Sequence, residues 1–125
     1  METYKVAIIG AGASGLIASS ILAEKGIKTI LVEKNSKIGR KILSTGAGKC
    51  NISNSKINLD CYHCTDFEKL KIILSKVSLT DISDFFNYKL GIITFSDEKG
   101  RIFPISQKAE SVPLAFEIFL KNKSV

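Results

Sequence analysis

The sequence predicts an α/β fold that opens with a strand, a helix and a second strand within its first 33 residues. A short apolar, β-branched run ends abruptly at a glycine, a pattern typical of a buried strand. Apolar residues at helical spacing follow, and a second β-rich run comes after them. Strand, helix and strand together make a βαβ unit with a right-handed crossover. We therefore expect a Rossmann-like βαβ unit, followed by helices and a β-hairpin.

Each element of this unit has its own signal. The first strand is predicted over Tyr4–Ile9 as a buried strand. The helix is predicted over Ser14–Lys25, with a glycine stop directly after it. The inward face of this helix is formed by Leu16, Ile17, Ile21 and Leu22. The second strand is predicted over Thr29–Glu33.

Residues 34–58 show little periodicity. They contain four Ser, four Asn and three Gly residues, a composition that predicts a long functional or disordered loop. Helical spacing resumes at Phe67, Leu70, Leu74 and Val77. Thr65 and Glu68 have the spacing of a capping box for this helix.

The last third of the chain predicts two more helices around a hairpin. A helix is predicted over Asp81–Lys89, with Ile82, Phe85 and Phe86 inward. Residues 92–95 and 101–103 are short apolar runs separated by D-E-K-G, which predicts a β-hairpin. A final helix begins near Ser111 and carries Pro113 in its first turn. Its inward residues are Phe116, Phe119 and Leu120.

A glycine-rich turn stands between the first strand and the first helix. Gly10, Gly12 and Gly15 fit the pattern G-x-G-x-x-G in the context that gives it meaning. They would allow, in that order, a tight turn, close approach of a pyrophosphate and packing of the helix on the strand. The helix N-terminus would supply N–H groups to the negative charge. We predict that a dinucleotide binds Gly10, Ala11, Gly12, Ala13, Ser14 and Gly15; a glycine-rich turn without a ligand is the alternative.

Glu33 ends the second predicted strand, 18 residues after Gly15. A carboxylate at this place can accept hydrogen bonds from the hydroxyls of an adenosine ribose, and it would repel a 2′-phosphate. The position therefore disfavours NADP. A surface Glu beside Lys34 is the alternative interpretation.

Two further glycine-containing segments follow within the loop. Gly39, Arg40 and Lys41 place cationic donors after the ribose carboxylate, where they could contact a pyrophosphate. Gly46 and Gly48 would let the backbone lie against a ligand. From these residues alone, a plain flexible loop is an equally good interpretation.

In order and spacing, five segments resemble a family of FAD-dependent flavoproteins typified by bile-acid-inducible operon protein N, the BaiN-like or HI0933-like family. Some of its members are labelled aminoacetone oxidases. The segments are Gly10–Gly15, Glu33–Asn35, Gly39–Lys41, Thr45–Asn51 and Gly100–Pro104. The T-G-A-G-K-C-N segment is much more specific than the glycine pattern. Here Lys49 stands where the family usually has Arg; Lys keeps the charge but loses the bidentate geometry.

The resemblance implies FAD as the cofactor and adds to the residues that hold it. Beside the glycine turn and Glu33, these are Lys34, Gly39, Arg40, Lys41, Thr45, Gly46, Gly48 and Asn51. It also implies hydride transfer through FAD, with NAD(P)H as an electron donor, in a protein much longer than 125 residues. Residues 1–125 are then expected to be the amino-terminal part of an FAD-binding domain, an incomplete version of the flavoprotein fold. The substrate domain and the C-terminal FAD segment would be absent.

The other reactive residues indicate no second site. Cys61 and Cys64 enclose the single histidine in a lone C-x-x-C, which we interpret as an incidental pair because zinc would need a fourth ligand. Cys50 is interpreted as a small packing residue. A role of Arg101 toward cofactor or substrate depends only on the resemblance, and an exposed Arg is the alternative. We assign no catalytic residue and no metal site.

The formal charge of +6 comes from 18 Lys and Arg residues against 12 Asp and Glu residues. The basic residues are mostly Lys and are spread along the chain, whereas a nucleic-acid surface usually clusters Arg with aromatics. We predict no nucleic-acid partner, no membrane partner and a cytoplasmic location. Two functions remain: the FAD-binding portion of a flavin-dependent oxidoreductase, or a non-catalytic module that binds ADP or a dinucleotide, with NAD as the competing ligand.

Overall fold

Residues 2–125 are described by a computed structural model, in which the βαβ unit is present at the amino-terminal end. Strand β1 covers Val6–Ile9, helix α1 covers Ala13–Glu24 and strand β2 covers Thr29–Val32. The strands are parallel neighbours, with Val6 opposite Thr29. The three predicted elements are confirmed, with ends shifted by one or two residues.

Strand β1 is half-exposed, so the prediction of a buried strand is wrong. Ile8 faces α1, but Ile9 points to the opposite face of the sheet and is 80% exposed. Val32, opposite Ile9 on β2, is exposed as well. Strands of parallel sheets are buried when helices cover both faces. Here α1 covers the face that carries Ile8 and Leu31, and the other face remains accessible.

Helix α1 also departs from its predicted inward face at one position. Leu16 is fully buried, and Ile17 and Leu22 are half-buried, but Ile21 is 43% exposed. The helix is apolar on most of its surface, so its pattern does not single out one buried stripe.

Helix α2 covers Phe67–Lys76 and is capped by Asp66, not by Thr65 as predicted. The Asp66 carboxylate accepts the backbone N–H of Lys69 at 2.9 Å. Asp and Thr are both good N-caps, so the sequence alone does not distinguish two such neighbours. The predicted apolar stripe is only partly packed: Leu70 and Leu74 are half-buried, whereas Phe67 and Val77 are exposed.

Helix α3 covers Leu79–Asp84 and continues as a wider, π-type turn over Phe85–Lys89. It begins two residues before the predicted start because Ser78 caps it, in a capping box with Asp81. The predicted inward residues are correct: Phe86 is buried, and Ile82 and Phe85 are half-buried against the core.

The β-hairpin is confirmed and gains a third strand. Strands β4 (Thr94–Ser96) and β5 (Arg101–Pro104) pair antiparallel, and a short strand β3 (Ser53–Asn54) pairs with the other edge of β5. The predicted loop of residues 34–58 therefore contains a strand, together with tight 3₁₀ turns over Ile42–Gly48. A two-residue strand is too short to produce a periodic signal.

Helix α4 covers Ser111–Asn122, with a buried Pro113 in its first turn, as predicted. Its Phe116 and Leu120 pack with Leu16 of α1 in the main core. Phe119 is half-buried against the same core. The core therefore lies between the helix that follows the glycine turn and the last helix, and it fixes the position of that turn.

Candidate dinucleotide-binding site

The glycine turn leads from β1 into α1, and each glycine has a distinct environment. Gly10 has φ +97°, a conformation that side chains rarely adopt. A Cβ atom on Gly15 would lie 1.9 Å from the carbonyl oxygen of Gly10, so only glycine fits between helix and strand. A Cβ atom on Gly12 would meet no atom within 4 Å. The surface at Gly12 is thus open to a ligand.

The N-terminus of α1 has no side-chain cap. Gly12 is its N-cap residue, and the first turn contains no acidic residue. The first N–H groups of a helix have no acceptor within the helix, and they carry the positive end of the helix dipole. Ser14 is exposed in this first turn. The arrangement suits an anion beside Gly12.

Glu33 connects the end of β2 to the glycine turn. Its Oε2 accepts the backbone N–H of Ala11 at 2.7 Å. Its Oε1 accepts the backbone N–H of Asn35 at 2.9 Å and the Asn35 side-chain amide at 2.5 Å. The backbone N–H of Asn35, followed by that of Ala11, holds the pKa of Glu33 below its ordinary value, so the carboxylate is charged at neutral pH.

These bonds use three of the roughly four lone-pair directions of the Glu33 carboxylate, which leaves one for a ribose hydroxyl. The sequence pattern predicted Glu33 as a ligand contact, but it gave no sign of the bond to Ala11. No local sequence pattern predicts that bond, because the two residues are 22 positions apart and meet only when β1 and β2 pair.

The loop after β2 returns to the glycine turn through Gly39. This residue is buried, has φ +66°, and donates its N–H to the carbonyl oxygen of Ala11 at 2.7 Å. A Cβ atom on Gly39 would lie 2.8 Å from Cγ of Pro113. Arg40 is exposed, and its Nη1 lies 3.4 Å from the side-chain oxygen of Asn35. Gly39 thus supports the turn, and Arg40 stands beside the Glu33–Asn35 pair.

Lys34 and Lys41 are exposed. Their predicted contacts with a cofactor remain predictions.

The Thr45–Asn51 segment makes its contacts with other parts of the chain. The Thr45 hydroxyl donates to the carbonyl oxygen of Ile42 at 2.7 Å. Gly46 has φ +56° and packs against Asn51 and the ring of Phe103. The carbonyl oxygen of Gly48 accepts the backbone N–H of Ala109 at 2.8 Å. This segment is therefore fixed to β5 and to the start of α4, while the Glu33 network holds the glycine turn.

The cysteines divide into two kinds. Cys50 is 6% exposed in the core, and burial raises the pKa of its thiol, so its interpretation as a packing residue is confirmed. Cys61 and Cys64 are exposed free thiols. Within residues 2–125 no three His, Cys, Asp or Glu side chains are grouped to hold a metal ion. No helix in the same residues is both long enough and apolar enough to cross a membrane.

The strand, glycine turn and helix, with an uncapped helix N-terminus and a carboxylate at the end of the second strand, define a domain of the Rossmann type. The family can be stated as well. The HI0933-like protein Rossmann domain matches residues 4–125, and the chain belongs to this family of flavoprotein oxidoreductases. The resemblance inferred from the sequence motifs is confirmed.

Individual relatives are also similar to this chain. The chain is 35% identical over 123 residues to a 3-dehydro-bile acid delta(4,6)-reductase of Clostridium scindens. The matched segment covers 97% of the chain and 30% of that relative. It is 33% identical over 103 residues to a ribosomal RNA dihydrouridine synthase of Escherichia coli. This match covers 82% of the chain and 26% of that relative.

A third similarity is confined to part of the chain. A mitochondrial dihydrolipoyl dehydrogenase of Mesocricetus auratus is 36% identical over 78 residues, 59% of the chain and 15% of that protein. The chain thus spans less than a third of the length of each of these three relatives.

Proposed function

We propose that this chain is the FAD-binding portion of a flavin-dependent oxidoreductase. The observation that carries the proposal is the hydrogen bond from Ala11 to Glu33, which links the glycine turn to the carboxylate at the end of β2. The open surface at Gly12 and the uncapped N-terminus of α1 fit a pyrophosphate beside that unit.

In this proposal the chain's own residues bind and orient the cofactor. The first-turn N–H groups of α1 donate to the pyrophosphate, and Gly12 permits its close approach. Glu33 accepts a ribose hydroxyl, and its negative charge repels a 2′-phosphate. When bound, FAD would supply the hydride chemistry, and the protein would supply binding and orientation.

Membership of the flavoprotein family favours FAD over NAD. The glycine turn and Glu33 suit the ADP portion of either dinucleotide, so the geometry of this unit does not distinguish them. The relative from Clostridium scindens is named as a reductase of 3-dehydro-bile acids, and that from Escherichia coli as a dihydrouridine synthase of ribosomal RNA. Both names describe enzymes whose reactions fit a redox cofactor. We include NAD(P)H in the proposal as the electron donor.

A second candidate function is a non-catalytic module that binds ADP or a dinucleotide. The geometry of the glycine turn and Glu33 favours it, since these residues suit the ADP portion that FAD and NAD share. Cytoplasmic location and the lack of a nucleic-acid partner remain predictions from the sequence.

Titration of the 125-residue chain with FAD, ADP, NAD and NADP tests both functions. Calorimetry and thermal unfolding should show binding of FAD and ADP and weaker binding of NADP. Absorption spectra of the chain mixed with FAD should show flavin absorbance that survives desalting. A chain that binds NAD much more tightly than FAD would contradict the flavin assignment. Binding of ADP with no turnover of any electron donor would favour the second candidate.

A further inference from the structure

A cavity lies between the Thr45–Asn51 segment and the hairpin, and no residue of the glycine turn lines it. It has a volume of about 470 Å³, within the usual range for small-molecule sites. Lys49 and Asn51 line one side, and Phe95, Asp97, Arg101 and Phe103 line the hairpin side. We call it the Lys49–Arg101 cavity.

The two cations that line this cavity differ in their ion pairing. Arg101 is held by Asp97, with its Nε and Nη2 atoms 2.8 and 2.7 Å from Oδ2 of that carboxylate. Lys49 forms no ion pair within residues 2–125. Two cations and one carboxylate give this lining a charge of +1, and the unpaired charge is that of Lys49. The cavity therefore suits a monoanion.

An aromatic wall stands beside these cations. The rings of Phe95 and Phe103 are 6.1 Å apart between centroids, and the guanidinium carbon of Arg101 lies 5.5 Å from the Phe103 centroid. Phe103 is buried, whereas Phe95 is half-buried and presents part of its ring to the cavity. The exposed part of the Phe95 ring, beside these cations, suits a planar ligand with an anionic group at its edge.

Backbone strain is concentrated around the same cavity. Of the four non-glycine residues with positive φ in residues 2–125, three are Ala47, Cys50 and Gln107, at φ 53°, 60° and 50°. Ala47 and Gln107 line the cavity, and Cys50 stands between two lining residues. Such conformations persist where the surrounding structure imposes them, and they cluster at ligand sites.

We propose that the Lys49–Arg101 cavity binds the carboxylate of a planar small-molecule substrate. Lys49 is the main partner of the anion, Arg101 donates a fixed second hydrogen bond, and the ring of the substrate lies against Phe95. This assignment deepens the proposed function, on which it rests, by naming a substrate class. It is also open to a separate test, because Lys49, Phe95 and Arg101 belong neither to the Glu33 network nor to the residues predicted to hold FAD. Gly46 and Asn51 of the lining are among those predicted FAD residues.

Benzoate is a suitable probe of the full 125-residue chain, and benzamide is its neutral counterpart. Chemical-shift titration should show benzoate binding with shifts at Lys49, Phe95 and Arg101, and binding of benzamide at least tenfold weaker. Lys49→Gln should weaken benzoate binding at least tenfold. Lys99→Gln, which removes an exposed charge from the same hairpin, should leave it unchanged. Equal binding by Lys49→Gln and the parent chain, or no benzoate binding to a folded parent, would overturn the proposal.

Two competition measurements separate this proposal from the FAD assignment. ADP should bind without displacing benzoate, and Gly12→Ala should weaken ADP binding while benzoate binding stays. A parent chain that binds benzoate but not ADP would count against the proposed function and leave the cavity assignment standing. Displacement of benzoate by FAD but not by ADP would assign the cavity to the flavin ring and overturn the substrate class.

Discussion

The carbonyl oxygen of Gly10 occupies the place that a side chain on Gly15 would need. A Cβ atom built on Gly15 lies 1.9 Å from that oxygen and 3.5 Å from Cγ2 of Ile8. The first turn of α1 therefore rests directly on the end of β1. This contact sets the direction of the helix N-terminus, and hence the place where an anion could meet it.

Gly15→Ala should destabilise the chain. In an exposed helix, Ala in place of Gly stabilises by about 1 kcal/mol. At this position the new methyl group must displace backbone, which costs about 1–3 kcal/mol or more, so the clash outweighs the gain in helix propensity. Urea unfolding followed by circular dichroism should show a lower midpoint. An unchanged or higher midpoint would mean that helix and strand can separate freely here.

Gly12→Ala should lower stability by no more than about 1 kcal/mol, because Ala is a poorer N-cap than Gly, and it should weaken ligand binding. The added Cβ atom meets no protein atom within 4 Å, and the residue has φ −78°, which any amino acid adopts. A methyl group there would occupy the surface that a pyrophosphate approaches. We expect ADP and FAD to bind at least about tenfold more weakly, a loss of ~1.4 kcal/mol, in calorimetry.

Ala18→Ser is the matched control for Gly12→Ala. It adds one heavy atom at an exposed position of the same helix. It should bind ADP as the parent chain does, with an unfolding midpoint close to that of Gly12→Ala. Parent-like ADP affinity in folded Gly12→Ala would show that the pyrophosphate does not approach this glycine.

Glu33→Gln should weaken ADP binding and reduce discrimination against a 2′-phosphate. The amide keeps one acceptor oxygen, so the N–H group of Ala11 or of Asn35 loses its partner. A hydrogen bond to a charged group is stronger than one to a neutral group, so we expect a loss of about tenfold in affinity for ADP. The dissociation constant of 2′,5′-ADP divided by that of ADP measures the discrimination against a 2′-phosphate, and this ratio should fall. Glu98→Gln, on the exposed hairpin turn, is the control and should change neither value.

Acid should destabilise the chain through carboxylates whose pKa values are lowered by folding. The pKa of Glu33 lies below its ordinary 4.5, chiefly because of the Asn35 N–H, and that of Asp97 lies below 3.8, chiefly because of the Arg101 side chain. A group with a depressed folded-state pKa contributes stability that is complete above its unfolded pKa. That stability is lost as the pH falls through the folded value.

The urea midpoint should therefore be level between about pH 5 and about pH 8 and decrease below pH 5. Asp97→Asn removes one of these groups, so its midpoint should be lower at neutral pH and should decrease less in acid. The Glu98→Gln chain should follow the parent profile. Parallel profiles for Asp97→Asn and the parent would show that the Asp97–Arg101 pair contributes nothing to the acid sensitivity.

Local patterns determined a large part of this protein. Short β-rich runs, helical spacing and the glycine turn predicted β1, α1, β2, the hairpin and α4, because each signal depends on neighbours within a few residues. The Thr45–Asn51 and Gly100–Pro104 motifs indicated the family through their residue types and their order along the chain. The spacing of the three glycines and Glu33 predicted a nucleotide-binding unit, and the binding itself stays a prediction.

Tertiary structure decided what depends on residues far apart in the chain. The exposure of Ile9 follows from which face of the sheet α1 covers, and β3 exists only through its pairing with β5. The bond from Ala11 to Glu33 and the cavity between Lys49 and Arg101 bring together segments separated by loops. Spacing along the chain can place a residue on a strand or helix. Burial, a bond across 22 positions and a cavity whose sides lie 52 positions apart are fixed only when the elements pack.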